Sequence, residues 1–238
     1  MRIRFDAVEP CFFELPALRA DAEIRERATA CIQAERALGL DLAALGYEPH
    51  PNAKQEVSPE TLEQLLAAGT EVHGVATERD VTNAIAFNAR HVADAVRDRR
   101  VARLRGALDR SIARRLRFVF DPPRRLLVFN SGHFWYPPGS YMGWHTNSLH
   151  PAWRLYVTHA EEPGKSFFRY RDPKSGEIVT SLDQSWDFRL FRISRETLLW
   201  HAVYSATNRF SFGFMIHPWT LRRRVGSLLH RARRVLSG

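Results

Sequence analysis

Cysteine is scarce. The two thiols, Cys11 and Cys31, stand near the N-terminus with no CxxC and no Cys/His spacing, so neither a disulfide framework nor a zinc ribbon is indicated and a cytoplasmic location is expected. Long hydrophobic runs are missing too. No stretch of about 18 apolar residues could span a bilayer, and the opening MRIRFDAVEPCFFELP carries acids and prolines where a signal peptide needs an apolar segment. Internal repeats and low-complexity segments are absent. Acids are outnumbered, 26 against 35 basic residues, for a net charge of +9. The excess is mainly arginine, gathered in 97–125 and 222–234. Such clusters can meet nucleic acid, an acidic carrier protein or anionic lipid, but the plainer reading is an arginine-rich solvated helix face, and no nucleic-acid partner is expected. What is present suffices for a core: 238 residues, 45% of them hydrophobic, fit one compact unit.

The first half reads as helical. Residues 2–16 alternate enough for a short strand, 21–45 reads as a helix ended near Gly46, and Ser58-Pro59-Glu60 is an N-cap with proline in the first turn, opening a helix that Gly69 closes. From 88 to 116, Val92, Val96, Val101, Leu104, Leu108, Ile112 and Leu116 recur at helical spacing, with a slip between 96 and 101. The character changes near Phe118. All six tryptophans lie between Trp135 and Trp219, and short apolar runs are punctuated by Pro-Pro, Pro-Gly and Ser-Gly. Strands are expected at 126–129, 141–145, 154–158, 166–170, 177–180, 188–193, 197–204 and 209–216, a number and spacing that suit a barrel or sandwich. The tail at 221–236 reads as a basic amphipathic helix. Docking on the protein's own surface is favoured over contact with a membrane surface or an acidic partner.

The stretch Arg209-Phe210-Ser211-Phe212-Gly213-Phe214-Met215-Ile216 is the most informative. Alternation puts Phe210, Phe212, Phe214 and Ile216 on one face and Arg209, Ser211, Gly213 and Met215 on the other. A guanidinium and a hydroxyl beside a residue without a side chain suit a small carboxylate gripped inside a barrel, because arginine holds a carboxylate through two parallel bonds; alone, the segment could also end in a solvent-facing arginine. His201 interrupts the apolar run Leu198-Leu199-Trp200-His201-Ala202-Val203, and His145 stands near a strand end with Asn147 two residues on. Two imidazoles and an oxygen donor form the facial arrangement used for non-haem iron(II). His133, His150, His159 and His217 compete on spacing alone. Arg154 or Trp144 is expected to line a substrate pocket.

The run Tyr136-Pro-Pro-Gly139-Ser-Tyr141-Met-Gly-Trp-His145-Thr-Asn147, then Arg154, Pro163-Gly164-Lys165-Ser166-Phe167-Phe168, His201 and Arg209-Phe-Ser211 resembles the core of prolyl-hydroxylase-like iron(II)- and 2-oxoglutarate-dependent oxygenases over roughly 126–217. The resemblance implies a double-stranded β-helix (jelly-roll, cupin-like) core at 118–218; with the mainly helical elaboration at 1–117 packed outside it and the basic C-terminal helix at 219–238, which the resemblance does not cover and the residue pattern supplies, the expected fold is α+β. It further implies a dioxygenase in which His145 and His201 hold iron, with Asn147 standing at the position of the third ligand. Arg209 and Ser211 would bind 2-oxoglutarate, with Tyr136 bonding the same cosubstrate and ascorbate as an added reductant. The substrate, hydroxylated with release of succinate and CO2, would be a small or carrier-bound molecule, and the arginines suit an acidic one. Asn147 departs from the family's aspartate. It could ligate weakly, Asp172, Asp187 or water could take its place, or iron could be lost. A halogenase is ranked lower, since asparagine leaves little room for chloride. Outside enzymes that use 2-oxoglutarate, the alternatives are a non-catalytic β-helix that binds an acidic ligand or partner, and a metal-dependent cupin-like enzyme.

Overall fold

The computed structural model describes residues 2–7, 9–69, 81–87 and 98–219. Strands β1 (Ile3–Arg4) and β2 (Phe12–Glu14) precede helices α1 (Pro16–Arg19), α2 (Ala22–Arg36), α3 (Ala53–Glu56) and α4 (Pro59–Ala67). A short β3 (Ile85–Ala86) comes before α5 (Arg99–Leu116) and β4 (Phe120–Asp121). The remaining strands are β5 (Leu126–Tyr136), β6 (Ser140–His145), β7 (Ala152–Ala160), β8 (Ser166–Arg171), β9 (Ile178–Leu182), β10 (Asp187–Ile193), β11 (His201–Ser205) and β12 (Arg209–Pro218).

Several helix limits differ from expectation, for local reasons. Asp21 caps α2 by accepting from the Ile24 amide at 3.2 Å, but the helix stops at Arg36, because Gly39, at φ +58°, turns the chain before the leucines that follow. Those leucines, 38, 40, 42 and 45, pack against Ile85 and Phe87 instead. The slip in the 88–116 pattern marks a helix start. Asp98 accepts from the amides of Arg100 and Val101 at 2.6 and 2.9 Å and caps α5 there, while 88–97 lies outside the described residues, as does the 221–236 tail helix. The strand expected at 2–16 is two strands: β1 pairs with β4, and β2 joins the large sheet.

Two antiparallel sheets build a jelly-roll sandwich. The larger runs β2-β10-β7-β12-β5-β3 and the smaller β6-β11-β8-β9. Period-two alternation along β12 sends Phe210, Phe212, Phe214 and Ile216 to the outer side of the large sheet. There they meet Trp153, Leu155 and Val157 of β7, Phe188 and Leu190 of β10, and the apolar stripes of α2 (Ile24, Ala28, Cys31, Ile32) and α5 (Leu108, Ile112, Leu116). Each fully buried aromatic or aliphatic side chain here contributes roughly 1.5–3 kcal/mol, which makes this outer layer the scaffold. A second cluster, with Tyr136, Phe168, Tyr170, Phe191, Ile193, Leu199 and Val203, fills the space between the sheets. A third, with Tyr141, Trp144, Phe167, Trp200 and Ala202, packs the outer side of the small sheet against Ala53, Val57 and Leu62 of the α3–α4 segment.

Behind β12, the strand register shifts between Gly213 and Phe214. Arg105 of α5, 4% exposed, fills that irregularity by donating to the carbonyls of Gly132 at 3.2 Å and Gly213 at 2.9 Å while pairing with Asp109 at 2.7 Å. Beside it His133 meets Glu35 at 2.5 Å, both buried. Burial raises the Glu35 carboxyl to about 8, although Arg105 opposes the shift, and it drives His133 well below the usual imidazole range. Among the described residues no helix is long and apolar enough to cross a membrane.

Candidate active site

His145 ends β6, and His201 opens β11 directly opposite it in the register. Their ring centroids are 4.1 Å apart, and His201 is fully buried while His145 is 8% exposed. Each ring is held from behind. Nδ1 of His145 lies 2.8 Å from the Gly143 carbonyl and Nδ1 of His201 lies 2.9 Å from the Leu199 carbonyl. A neutral imidazole that donates from Nδ1 carries its lone pair on Nε2, the state a metal ligand needs. Burial, and after it the neighbouring His145, pushes the His201 pKa well below the usual imidazole range, so the ring is neutral at physiological pH. Phe168 and Phe191 pack on it at 5.6 and 5.4 Å, closing that flank with apolar surface.

β6 ends at His145, and Asn147 sits in the left-handed region at φ 56°, which asparagine tolerates better than most residues. The turn rather than strand alternation aims the side chain, whose Nδ2 reaches Nε2 of His201 at 3.3 Å. Among the described residues no third His, Cys, Asp or Glu joins the pair in a metal-holding group. Asp172 accepts from the Lys174 and Ser175 amides of its own turn, and Asp187 accepts from the Gln184 amide and pairs with Arg189, so neither substitutes for Asn147. Three of the four competing histidines are engaged elsewhere, and His150 is exposed. His133 holds Glu35, His159 bonds the Ser185 carbonyl, and His217 packs on Phe129.

On the inner face of the large sheet, Arg209 is 1% exposed, and its Nε donates to Oδ2 of Asp183 at 2.7 Å. Both terminal nitrogens, Nη1 and Nη2, are buried with no hydrogen-bond partner. Burial works against its charge, but Asp183 more than offsets that and raises its pKa. The guanidinium stacks over the Tyr136 ring at 5.0 Å. Ser211 follows two positions along the same face, and Gly213 two further. A Cβ at Gly213 would meet Ser131 Oγ at 3.0 Å and the Tyr156 ring at 3.3 Å, so the missing side chain is what admits that ring. Two unsatisfied, coplanar donors in a dry interior are a costly arrangement for a protein to keep. They match the spacing of one carboxylate.

Asp183 and Arg189 were not singled out by sequence reasoning. Asp183, fully buried after β9, accepts from Arg189 Nη1 at 2.5 Å, from Arg209 Nε and from Ser166 Oγ at 2.6 Å. Its pKa is lowered: burial opposes ionisation, and Arg209 and Arg189 together outweigh it. No strand pattern marks such a residue, since it lies just outside the β9 pairing; an acid ending a run of inward positions, Val179 and Ser181, was the only signal. Trp144 does not line the interior. Its indole is fully buried on the outer side of the small sheet and donates to the Ser58 carbonyl at 2.8 Å. Two surface cavities, of about 360 and 340 Å³, are lined by Glu9–Cys11 with Asp172–Lys174, and by Glu14–Pro16 and Arg19 with Asp187 and Phe188; neither is lined by the histidine pair or Arg209.

No family model matches the chain, and no curated protein matches it. Among solved structures it is similar to an oxidoreductase of the 2OG-Fe(II) oxygenase family from Burkholderia pseudomallei, at 12% identity over 66% of this chain and 77% of that one, with a TM-score of 0.36. It is similar to a prolyl-4-hydroxylase from Pseudomonas putida at 13% identity over 90% and 96% of the two chains, TM-score 0.39. A third is the dioxygenase for auxin oxidation 1 from Arabidopsis thaliana in its 2-oxoglutarate complex, at 14% identity over 85% and 91%, TM-score 0.30. At those values, what the site can do rests on its own geometry.

Proposed function

We propose that the protein is an iron(II)- and 2-oxoglutarate-dependent oxygenase built on a double-stranded β-helix, hydroxylating a small or carrier-bound substrate with release of succinate and CO2. The observation that carries this reading is Arg209: two buried guanidinium nitrogens without a hydrogen-bond partner among the described residues, inside a sandwich whose other sheet presents a facing pair of histidines. Iron(II) would be held by His145, His201 and the side-chain oxygen of Asn147, and 2-oxoglutarate by Arg209 through its distal carboxylate, with Ser211 and the Tyr136 hydroxyl adding bonds. Bound there, the two supply the activation of dioxygen and the decarboxylation of 2-oxoglutarate that oxidise a substrate C–H bond. The chain's own part is orientation and dryness. The Gly143 and Leu199 carbonyls fix the imidazole tautomers, Asp183 fixes the Arg209 fork, and Phe168 and Phe191 exclude water from His201.

The neutral third donor favours one second reading, a non-catalytic β-helix that holds a carboxylate ligand. Titration with 2-oxoglutarate by calorimetry in the presence of Mn(II) tests the Arg209 assignment. Arg209→Ala should weaken binding by about 1.5–3 kcal/mol, the size of a charge-assisted bond, which is roughly 10- to 150-fold, and Ser211→Ala by less. Unchanged affinity in Arg209→Ala would remove Arg209 as the clamp.

A further inference from the structure

Among the described residues, four buried arginines belong to the sheets or to α5, and three of them hold a carboxylate. Arg105 holds Asp109 at 2.7 Å, and Arg189 and Arg209 share Asp183 at 2.5 and 2.7 Å. Arg154 does not. It is 6% exposed, its Nη2 donates only to the His150 carbonyl at 3.2 Å, and its Nε is buried with no partner. A buried guanidinium with no anion is unfavourable unless something supplies one.

Its place in the fold says what it would serve. Arg154 lies opposite Met215 in the β7–β12 register and Arg209 lies opposite Ala160, six strand positions along. At about 3.3 Å per residue, that separates their backbones by roughly 20 Å. Tyr156, with its ring against Gly213, stands between them on the same face. Arg154 therefore belongs to the other end of the interior from the Arg209 clamp. That end carries the histidines: the His150 carbonyl that Arg154 holds belongs to the turn whose His150 amide donates to the Asn147 carbonyl at 3.0 Å, and the Asn147 side chain touches His201.

We propose that Arg154 is a carboxylate-binding residue beside the histidine pair, serving the acid group of the molecule to be oxidised, so that the substrate is an organic acid. This rests on the oxygenase reading for the word substrate, but the anion site itself can be measured without it. The probe is trifluoroacetate, followed by fluorine NMR on the full chain, with and without saturating 2-oxoglutarate and Mn(II). A parallel calorimetric titration follows 2-oxoglutarate itself.

The expected result is saturable trifluoroacetate binding that persists with 2-oxoglutarate present. It should weaken at least tenfold in Arg154→Met and recover in Arg154→Lys, while 2-oxoglutarate affinity changes less than threefold. Absence of saturable binding to the native chain, or binding that Arg154→Met leaves unchanged, overturns the proposal. A fall in 2-oxoglutarate affinity in Arg154→Met equal to that in Arg209→Met also overturns it, because the cosubstrate's own keto-acid end would then be the ligand. Failure of the oxygenase reading looks different: 2-oxoglutarate does not bind, or binds indifferently to Arg209→Met, while trifluoroacetate binding that is lost in Arg154→Met and kept in Arg209→Met still reports on Arg154. Thermal unfolding checks each variant's fold, and Arg154→Gln, which keeps a donor for the His150 carbonyl, replaces Arg154→Met if that variant does not fold.

Discussion

Replacing Asp183 by asparagine removes one negative charge from between two buried guanidiniums while keeping the side chain's size. Arg189 keeps other partners, the Ser181 hydroxyl and the Ser181 and Leu182 carbonyls. Among the described residues the Arg209 guanidinium hydrogen-bonds only to Asp183. The loss therefore falls on Arg209, and an amide, which can turn an N–H toward the guanidinium, cannot repair it. Breaking a buried ion pair from one side costs about 3–5 kcal/mol. For a chain of this size each kcal/mol moves the unfolding midpoint by about 2–4 °C, so Asp183→Asn should melt roughly 6–20 °C lower. Because the folded Asp183 pKa is depressed, its contribution is present above the unfolded value near pH 4 and is lost as pH falls through the lower folded value. The difference between native and variant should accordingly shrink only in strong acid. Scanning calorimetry from pH 3 to 8, together with a cycle pairing Asp183→Asn with Arg209→Met, checks both points. The two losses should be strongly non-additive, since they delete the same contact. A midpoint drop under about 3 °C, corresponding to less than about 1 kcal/mol, or additive losses, would refute the bridge.

Asn147→Asp should tighten Mn(II) or iron(II) binding at least tenfold by anaerobic calorimetry. The carboxylate adds a full charge toward the metal, and the amide N–H that meets His201 Nε2 at 3.3 Å is gone; equal affinities would mean that Asn147 does not touch the metal. The Glu35 carboxyl, raised to about 8, should make the native fold lose stability as pH rises from its unfolded value near 4.3 toward 8. Urea unfolding of Glu35→Gln should then show an advantage over the native chain that grows between pH 5 and 8, and a pH-independent difference would contradict the raised carboxyl.

Much of the barrel was legible because period-two alternation survives wherever one face of a strand is apolar. The phenyl face of β12 and the aromatic strand 166–170 follow from it, whereas the opposition of His145 to His201 is a matter of strand pairing that alternation along one strand does not give. The same alternation excludes Trp144 from the pocket it was expected to line: it precedes His145 on one strand and so points the other way, toward α4. Two further things were not legible. The end of α2 at Arg36 depends on a glycine at positive φ rather than on the leucines beyond it, which have helical spacing but pack on Ile85 and Phe87. Asp183 acts through partners drawn from β8, β10 and β12, three separate segments of the chain, and no local pattern brings those together.

We propose the facing histidines and Arg209 as one metal- and cosubstrate-dependent site. The most direct test is succinate released from 2-oxoglutarate by the purified full chain with iron(II) and ascorbate, measured beside His145→Ala and His201→Ala. Both variants should unfold at temperatures within a few degrees of the native protein. Iron-dependent succinate is expected from the native chain, with a loss of at least 100-fold in each histidine variant; full turnover in either variant, or succinate that does not depend on iron, would contradict the shared site.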